Sequence, residues 1–284
     1  MRPDCCVIIP YYDSGDDLVV ALDSIDNPSG RVSVLVVDDG SVRLPARSVL
    51  QTYRSRVPLE LVELPENRGI ARALNRGIEE AGGRFRYLAR LDAGDRCRGE
   101  RFRKQLDYLD SHPDVYLLGS WVNQVDLDGA IRYVTRQPAT SRSIRRRMPI
   151  NCVFTHPSVV FRAEVLDAVG VYPTDRPAAE DYALFYSVVK RFETANLAEP
   201  LVDCILDPRG ISIESRRTQI RSRLLVMRDH YDFSAVATYG VIRALLLWPT
   251  PMAFSVFLNR VRAGSMRVLE RVHSSARARR RLTL

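Results

Sequence analysis

Short apolar runs alternate with segments of helical periodicity through the first half of the chain. The apolar runs predict buried strands, in chain order Cys5–Pro10, Val32–Val37, Leu59–Leu64, Tyr87–Leu91 and Val115–Trp121. The periodic segments between them predict helices at Leu18–Ile25, Ile70–Ala81 and Glu100–Ser111. This alternation of strands and helices is typical of an α/β fold with a parallel or mostly parallel sheet.

Acidic residues stand where two of these strands end. Asp92 and Asp95 follow the strand that begins at Tyr87, and Asp38–Asp39 end the second strand. Ligands of open α/β sheets bind just outside the carboxyl ends of the strands. Two carboxylates there can hold a hard divalent cation, whose other ligands come from water and substrate phosphates. The alternative is a polar turn that caps the next helix, and these residues alone leave both interpretations open.

Two further charged segments lie in the second half of the chain. Glu180 and Asp181 open a predicted helix, where acids favour the helix dipole, so a purely structural role would account for them locally. The basic run Arg142–Arg147 is interpreted either as a solvated helix face or as a contact for an anionic acceptor or a lipid head group.

The positive charge is concentrated at the C-terminal end. The 284 residues carry a net charge of +8, with 46% hydrophobic and 27% charged residues, which is ordinary for a protein with a substantial core. Residues 216–284 contain 14 Arg, no Lys and three acids, which leaves residues 1–215 at −3. We therefore expect an α/β domain at 1–215 and a helical, Arg-rich extension at 216–284.

The extension contains the most apolar part of the chain, Val241–Leu258. Arg243, Pro249 and Pro251 interrupt this segment, so it predicts two short helices rather than a membrane span. Apolar residues beside Arg-rich segments favour peripheral membrane contact. The alternative is a helical pair that packs on the body and a disordered basic end.

The five cysteines are odd in number and show no spacing typical of a zinc site. We interpret them as reduced core thiols, which suggests a cytosolic environment. The first apolar run is too short for a signal peptide.

Six motifs, in this order and spacing, resemble those of the family 2 glycosyltransferases. They are Val7–Tyr12, Val36–Ser41, Asn67–Gly69 with Ala73–Gly77, Ala89–Asp95, His156–Arg162 and Glu180–Tyr182. The resemblance covers roughly residues 4–215 and implies a GT-A (nucleotide-diphospho-sugar transferase) fold, in which helices flank a mostly parallel central sheet.

The resemblance also implies an activity. The expected reaction is inverting transfer of a sugar from a nucleotide-diphospho-sugar, with a UDP-sugar as the default, to a glycan or lipid-linked acceptor. Such enzymes build surface polysaccharide, lipopolysaccharide or lipid-linked glycans. Asp181 would be the general base, and Asp92 with Asp95 would hold Mg²⁺ or Mn²⁺. The resemblance assigns nucleotide-sugar binding to Pro10, Tyr12, Asp39, Gly69, Arg90 and Asp92.

Two positions depart from the family pattern. The family commonly has an acid where this chain has Gly94, so either Asp95 would supply the second metal ligand, directly or through water, or metal affinity would be reduced. Many relatives have a histidine where this chain has Asp207. The candidates for diphosphate or acceptor contacts are His156, Glu180 and Asp207, and the alternative for His156 is a hydrogen-bonded histidine of the core.

The expected location is cytoplasmic, at the inner face of the cell membrane, with contact through the Arg-rich tail. One alternative is a sugar nucleotidyltransferase, but no Gly-rich, basic phosphate loop follows the first strand. Another is a non-enzymatic membrane or nucleic-acid adaptor. Because the basic charge lies outside the acidic body, and aromatic residues do not alternate with the tail arginines, we expect no nucleic-acid partner.

Overall fold

The computed structural model describes residues 3–27, 29–206 and 216–248. Its strands are β1 (Cys5–Tyr11), β2 (Val32–Asp38), β3 (Leu59–Glu63), β4 (Tyr87–Arg90), β5 (Arg96–Cys97), β6 (Val115–Val125), β7 (Ile131–Thr135), β8 (Val160–Arg162) and β9 (Glu193–Ile205). Its helices are α1 (Asp17–Asp23), α2 (Ala46–Leu50), α3 (Ile70–Ala81), α4 (Arg101–Ser111), α5 (Ser141–Arg147), α6 (Val165–Val169), α7 (Glu180–Arg191), α8 (Arg216–Asp229) and α9 (Ala235–Leu247), with a 3₁₀ turn at His156–Ser158.

The described strands form one sheet in the order β3-β2-β1-β4-β8-β6-β9-β5, and β7 pairs with β6. The first four strands in this order are parallel to one another, and β6 is parallel to β9. Strand β8 joins the two parts by antiparallel pairing with both β4 and β6. The predicted α/β fold is confirmed, and the five predicted strands and three predicted helices are present.

Both faces of the sheet are buried at β1 and β2, which explains why these strands are continuous apolar runs. Strand β1 contributes Val7 and Ile9 to one core and Ile8 to the other. Helices α1 and α4 cover the first face, and α3 and α7 cover the second. Helix α3 packs closely on the sheet at Gly77, where an added Cβ would lie 2.7 Å from Ile8 Cγ2.

The two last described helices pack on this body. Val226 and Met227 of α8 are buried in the core that α7 covers. Gly240 of α9 lies against the chain after α5, where an added Cβ would lie 2.3 Å from the carbonyl oxygen of Pro149. None of the helices within residues 3–27, 29–206 and 216–248 is both long and apolar enough to cross a bilayer. The predictions for the basic tail beyond Trp248 lie outside the described residues.

Arg90, at the end of β4, ties the centre of the fold together although its side chain is only 1% exposed. Its Nη1 donates to the carbonyl oxygens of Ile8, at 2.7 Å, and Leu91, at 3.2 Å. Its Nη2 donates to the Asp92 carboxylate, and its Nε donates to His156 Nε2 at 3.2 Å. A single guanidinium therefore donates hydrogen bonds to the backbone of β1, to the two residues after β4 and to the 3₁₀ turn.

Replacing this side chain tests how much the centre depends on it. We expect Arg90→Met to lower the free energy of unfolding by about 3–5 kcal/mol, because buried carbonyls lose their donor and Asp92 loses its counter-ion. Arg103→Met removes exposed ion pairs with Glu100 and Asp107 and should cost under about 1 kcal/mol. Urea unfolding of the two variants gives the comparison, and equal losses would contradict this account of Arg90.

Candidate active site

A cleft of about 910 Å³ opens at the edge of the sheet where β4 ends. Asp92 and Asp95 line one part of it, and Glu180 and Asp181 line another. The two acid pairs are almost ninety residues apart in sequence, and the fold brings them into one cavity. Its volume lies in the range of small-molecule binding sites, roughly 300–1,000 Å³.

The first acid pair sits on a tight turn that starts where β4 ends. The backbone N–H of Asp95 donates to the carbonyl oxygen of Asp92 at 3.1 Å, and that of Gly94 donates to Asp17 at 2.9 Å. Gly94 has a φ of 92°, a conformation that strains any residue with a side chain. An acid in its place would therefore be strained in this turn, which gives a physical reason for the departure from the family pattern.

The Asp95 carboxylate is buried beside strand β9. Its Oδ1 accepts the backbone N–H of Ile205 at 3.0 Å. Burial, and then the nearby negative charge of Asp92, raise the pKa of Asp95 to about 7. Two carboxylates held this close compete for protons, and a bound cation would relieve their repulsion.

The second acid pair opens α7, as the sequence predicts. Ala178, just before it, has a φ of 60°, which costs a residue with a side chain on the order of 1 kcal/mol. Burial, and then the charge of Asp181, raise the pKa of Glu180 to about 7. Burial also raises the pKa of Asp181, while the Tyr182 N–H, which donates to its Oδ1 at 2.6 Å, opposes the shift.

His156 lines the same cleft, but its Nε2 is already engaged. Arg90 Nε donates to this atom, and the hydroxyl group of Tyr172 lies 3.0 Å from it. Burial and the Arg90 charge hold the pKa of His156 well below its usual range, so the ring is neutral. A neutral ring that accepts from Arg90 at Nε2 carries its proton on Nδ1.

The acid pair at the end of β2 lies outside the lining of this cleft. The Asp39 carboxylate is buried and accepts the backbone N–H groups of Arg68, at 2.9 Å, and Gly69, at 2.8 Å. Each oxygen thus holds one amide of the turn before α3 and keeps a second lone pair. Pro10 is half-buried at the end of β1, and Tyr12, after it, is 45% exposed.

The loops that carry these residues nevertheless reach the cleft. Ser14, in the loop after β1, and Ile70, the first residue of α3, both line it. Gly69, with a φ of 86°, is the N-cap residue of α3 and precedes Ile70 directly. Residues that neighbour Tyr12 and Gly69 in sequence therefore line the cleft, although Pro10, Tyr12, Asp39 and Gly69 are not part of the lining.

Several polar or nucleophilic residues that sequence reasoning did not assign to a site also line the cleft, among them Asn151, Cys152, Gln219 and Arg223. Arg223 belongs to α8, and its guanidinium donates to the side-chain oxygen of Asn151. Its charge also favours the ionised form of Asp181 and so opposes the raised pKa of that carboxyl. In sequence it is one of many arginines, and no spacing distinguishes it from its neighbours.

The described residues contain no group of three or more His, Cys, Asp or Glu side chains placed to hold a metal ion. Asp92 and Asp95 offer two carboxylates, and a Mg²⁺ or Mn²⁺ ion commonly binds through two carboxylates plus substrate phosphates. The donor set therefore fits a metal that is shared with a bound diphosphate. Asp207, the other candidate, lies outside the described residues.

Comparison with curated proteins finds relatives over most of the chain. The amylovoran biosynthesis glycosyltransferase AmsE of Erwinia amylovora is 33% identical over 219 residues, covering 75% of this chain and 80% of AmsE. A UDP-Gal:alpha-D-GlcNAc-diphosphoundecaprenol beta-1,3-galactosyltransferase of Escherichia coli is 29% identical over 235 residues, covering 81% of this chain and 83% of the relative.

Solved structures show the same fold. TarS residues 1–349 of S. aureus, in complex with UDP, match with a TM-score of 0.61 at 18% identity, covering 86% of this chain and 71% of that one. The mannosyltransferase PcManGT of Pyrobaculum calidifontis, in complex with GDP-Man and Mn²⁺, matches with a TM-score of 0.59 at 20% identity, covering 87% and 70%. The fold is thus the GT-A fold that the sequence motifs predict.

The sequence model of glycosyl transferase family 2 matches residues 6–170, which include the β1 strand, both acidic turns and the His156 segment. The match covers more than half of the chain and agrees with the relatives over a longer span. This protein belongs to glycosyl transferase family 2.

Proposed function

We propose that the protein is an inverting glycosyltransferase that moves a sugar from a nucleotide-diphospho-sugar to an acceptor hydroxyl. The observation that carries the proposal is the meeting of two distant acid pairs in one cleft. Relatives named for amylovoran synthesis and for a diphosphoundecaprenol substrate favour a surface polysaccharide, lipopolysaccharide or lipid-linked glycan as the product.

The nucleotide would bind beside the cleft, against Asp39. Its carboxylate keeps free lone pairs that can accept an N–H of the base, while two backbone amides fix its orientation. Pro10 and Tyr12 would shape the pocket, and Gly69 would let the backbone approach the nucleotide. Solved relatives bound to UDP, UDP-GlcNAc and GDP-Man support a nucleotide-sugar donor, with a UDP-sugar as the default.

The diphosphate would lie over Asp92 and Asp95, which would hold Mg²⁺ or Mn²⁺ together with it. When bound, the ion offsets the negative charge that builds on the leaving diphosphate. Arg90 holds the Asp92 carboxylate in position from beneath. His156 holds Arg90 and, being neutral, acts as a positioning residue in this proposal.

Asp181 would act as the general base at the other part of the cleft. Its carboxylate takes the proton of the acceptor hydroxyl as that oxygen forms a bond to the anomeric carbon. The bond between the anomeric carbon and the diphosphate oxygen breaks, and its electron pair leaves with the diphosphate. One displacement inverts the anomeric configuration. Glu180 would contact the acceptor, and Asp207 stays a candidate for the diphosphate.

We place the enzyme in the cytoplasm, in peripheral contact with the inner face of the cell membrane. Nucleotide sugars are water-soluble donors, whereas lipid-linked acceptors reside in the membrane. The 14 arginines of residues 216–284 would favour an anionic lipid surface.

Replacing the proposed base tests its role. We expect Asp181→Asn to lower the rate of transfer by a factor on the order of 10²–10⁴, because an amide in place of the carboxylate cannot take the proton of the acceptor hydroxyl. Donor binding should be unchanged. The measurement is release of nucleoside diphosphate, with the nucleotide sugar that most raises the melting temperature in a screen with Mn²⁺, and with a membrane extract as the acceptor source.

Asp114→Asn, at an exposed acid on the loop before β6, serves as the matched control and should transfer at the wild-type rate. Retention of wild-type transfer by Asp181→Asn would refute its assignment as the base. Loss of donor binding in that variant would instead point to a structural role.

The raised pKa of Asp95 predicts how metal binding depends on pH. The folded protein holds a proton on this carboxyl up to about pH 7, against about 4 for an unfolded aspartate. The protonated carboxyl therefore stabilises the folded protein at low pH, and this stabilisation is lost as the pH rises from about 4 to about 7. A metal ion must compete with the proton for the carboxylate below about pH 7. The rise in melting temperature with Mn²⁺ and UDP should be larger at about pH 8 than at about pH 6.

Scanning fluorimetry at the two pH values gives this comparison, and Asp95→Asn is the control because it has no proton to lose there. A wild-type response that is equal at both pH values, or larger at the lower one, would contradict Asp95 as a metal ligand.

A further inference from the structure

Helix α9 presents an apolar face to solvent. Tyr239, Ile242, Leu245 and Leu246 are each more than half exposed, and Leu246 is 70% exposed. At 100° per residue these four side chains fall on one side of the helix, and no charged residue lies between them on that side. Contiguous exposed apolar surface of this kind marks an interaction site more often than isolated apolar residues do.

The opposite face of α9 packs on the body of the protein, so the apolar face described above points outward. Ala237, Gly240 and Ala244 are buried, and Gly240 packs against Pro149 and Ile150. Substitutions on the outward face therefore leave the packing of α9 on the body intact.

Exposed arginines of α5 lie close in sequence to the Pro149–Ile150 segment on which α9 packs. Helix α5 ends at Arg147, two residues before Pro149. Arg142, Arg146 and Arg147 are exposed and form no ion pair with any residue that the structure describes. Arg145 of the same helix differs, because it pairs with Glu193. A run of arginines without acidic partners is suited to an anionic surface.

We propose that the outward face of α9 and the exposed arginines of α5 together form a membrane-docking surface for anionic lipids. Apolar side chains would enter the interface between head groups and acyl chains, and the arginines would contact lipid phosphates. The chain that follows α9 supports this occupant, because residues 249–284 contain eight arginines and one acid.

The docking surface also lies close to the cleft. Asn151 and Cys152, which line the cleft, directly follow the Pro149–Ile150 segment on which α9 packs. Docking would therefore bring the cleft towards the head-group layer, where a lipid-linked diphosphate acceptor presents its glycan. This consequence rests on the proposed function, whereas the docking itself does not.

Flotation of the full-length protein with vesicles tests the proposal. The vesicles are phosphatidylcholine alone, or phosphatidylcholine mixed with phosphatidylglycerol. We expect wild-type protein to float with the mixed vesicles. Ile242→Gln and Leu246→Gln should each reduce the partition coefficient on the order of tenfold. Arg146→Gln and Arg147→Gln should each reduce it about fivefold, and only for vesicles that contain phosphatidylglycerol.

Matched controls lie elsewhere on the surface. Ile131→Gln replaces an equally exposed apolar side chain on β7, and Arg54→Gln with Arg56→Gln replaces exposed arginines before β3. These variants should float as the wild type does. Donor binding, measured without vesicles, should be the same in all variants, so a protein that binds no nucleotide sugar would refute the proposed function without affecting the flotation result.

Four outcomes would overturn the proposal. Wild-type protein that does not float with either vesicle, or α9 variants that float like the controls, would exclude lipid docking by this surface. Light scattering that shows a wild-type dimer and a monomeric Leu246→Gln, with flotation unchanged, would assign the face to a second copy of the chain. A lower melting temperature of the α9 variants with unchanged flotation would assign it to packing of residues 249–284.

Discussion

The site depends on the buried guanidinium of Arg90, which lies where β4 ends beside the parallel strand β1. Strands β1 and β4 pair in register, so their carboxyl ends meet at the same edge of the sheet. Arg90 fills the junction and bonds to backbone of β1, to Asp92 and to His156. A buried arginine is costly unless every donor is used, and here each of its nitrogen atoms has a partner. The same contacts that satisfy Arg90 thus fix the Asp92 carboxylate at the mouth of the cleft.

The cleft brings together four carboxyl groups, and burial opposes the ionisation of three of them. Burial raises the pKa values of Asp95 and Glu180 to about 7, and that of Asp181 is raised as well. Strongly shifted pKa values of this kind are common at functional sites, where groups are arranged for chemistry rather than for stability. The positive charge of Arg223, on α8, favours the ionised form of Asp181 and so opposes the rise in its pKa. A divalent cation shared with a diphosphate would do the same for Asp92 and Asp95.

Local sequence was sufficient where both faces of an element are buried or where a motif is contiguous. The apolar runs of β1 and β2 and the helical periodicity of α3 gave the right elements, and the acidic turn after β4 was found at its strand end. Strand β9 was missed because polar residues interrupt its apolar positions and because it contains Pro200, which lies at a shift in its register with β6. The bonding of Asp39 to the turn before α3, and the arrival of Arg223 at the cleft, are long-range contacts that no local pattern encodes. His156 could be found by its motif, but its neutral state depends on Arg90, sixty-six residues away.

Family membership, the GT-A fold and the shared cleft support transfer from a nucleotide sugar, and the central claim is that one cleft holds the diphosphate and sugar of the donor between the two acid pairs. Anomalous diffraction from crystals grown with Mn²⁺ and UDP tests it most directly. The account predicts a manganese peak in contact with Asp92, Asp95 and the diphosphate, with Asp181 facing the same cavity. A manganese ion and a diphosphate bound away from this cleft would contradict it.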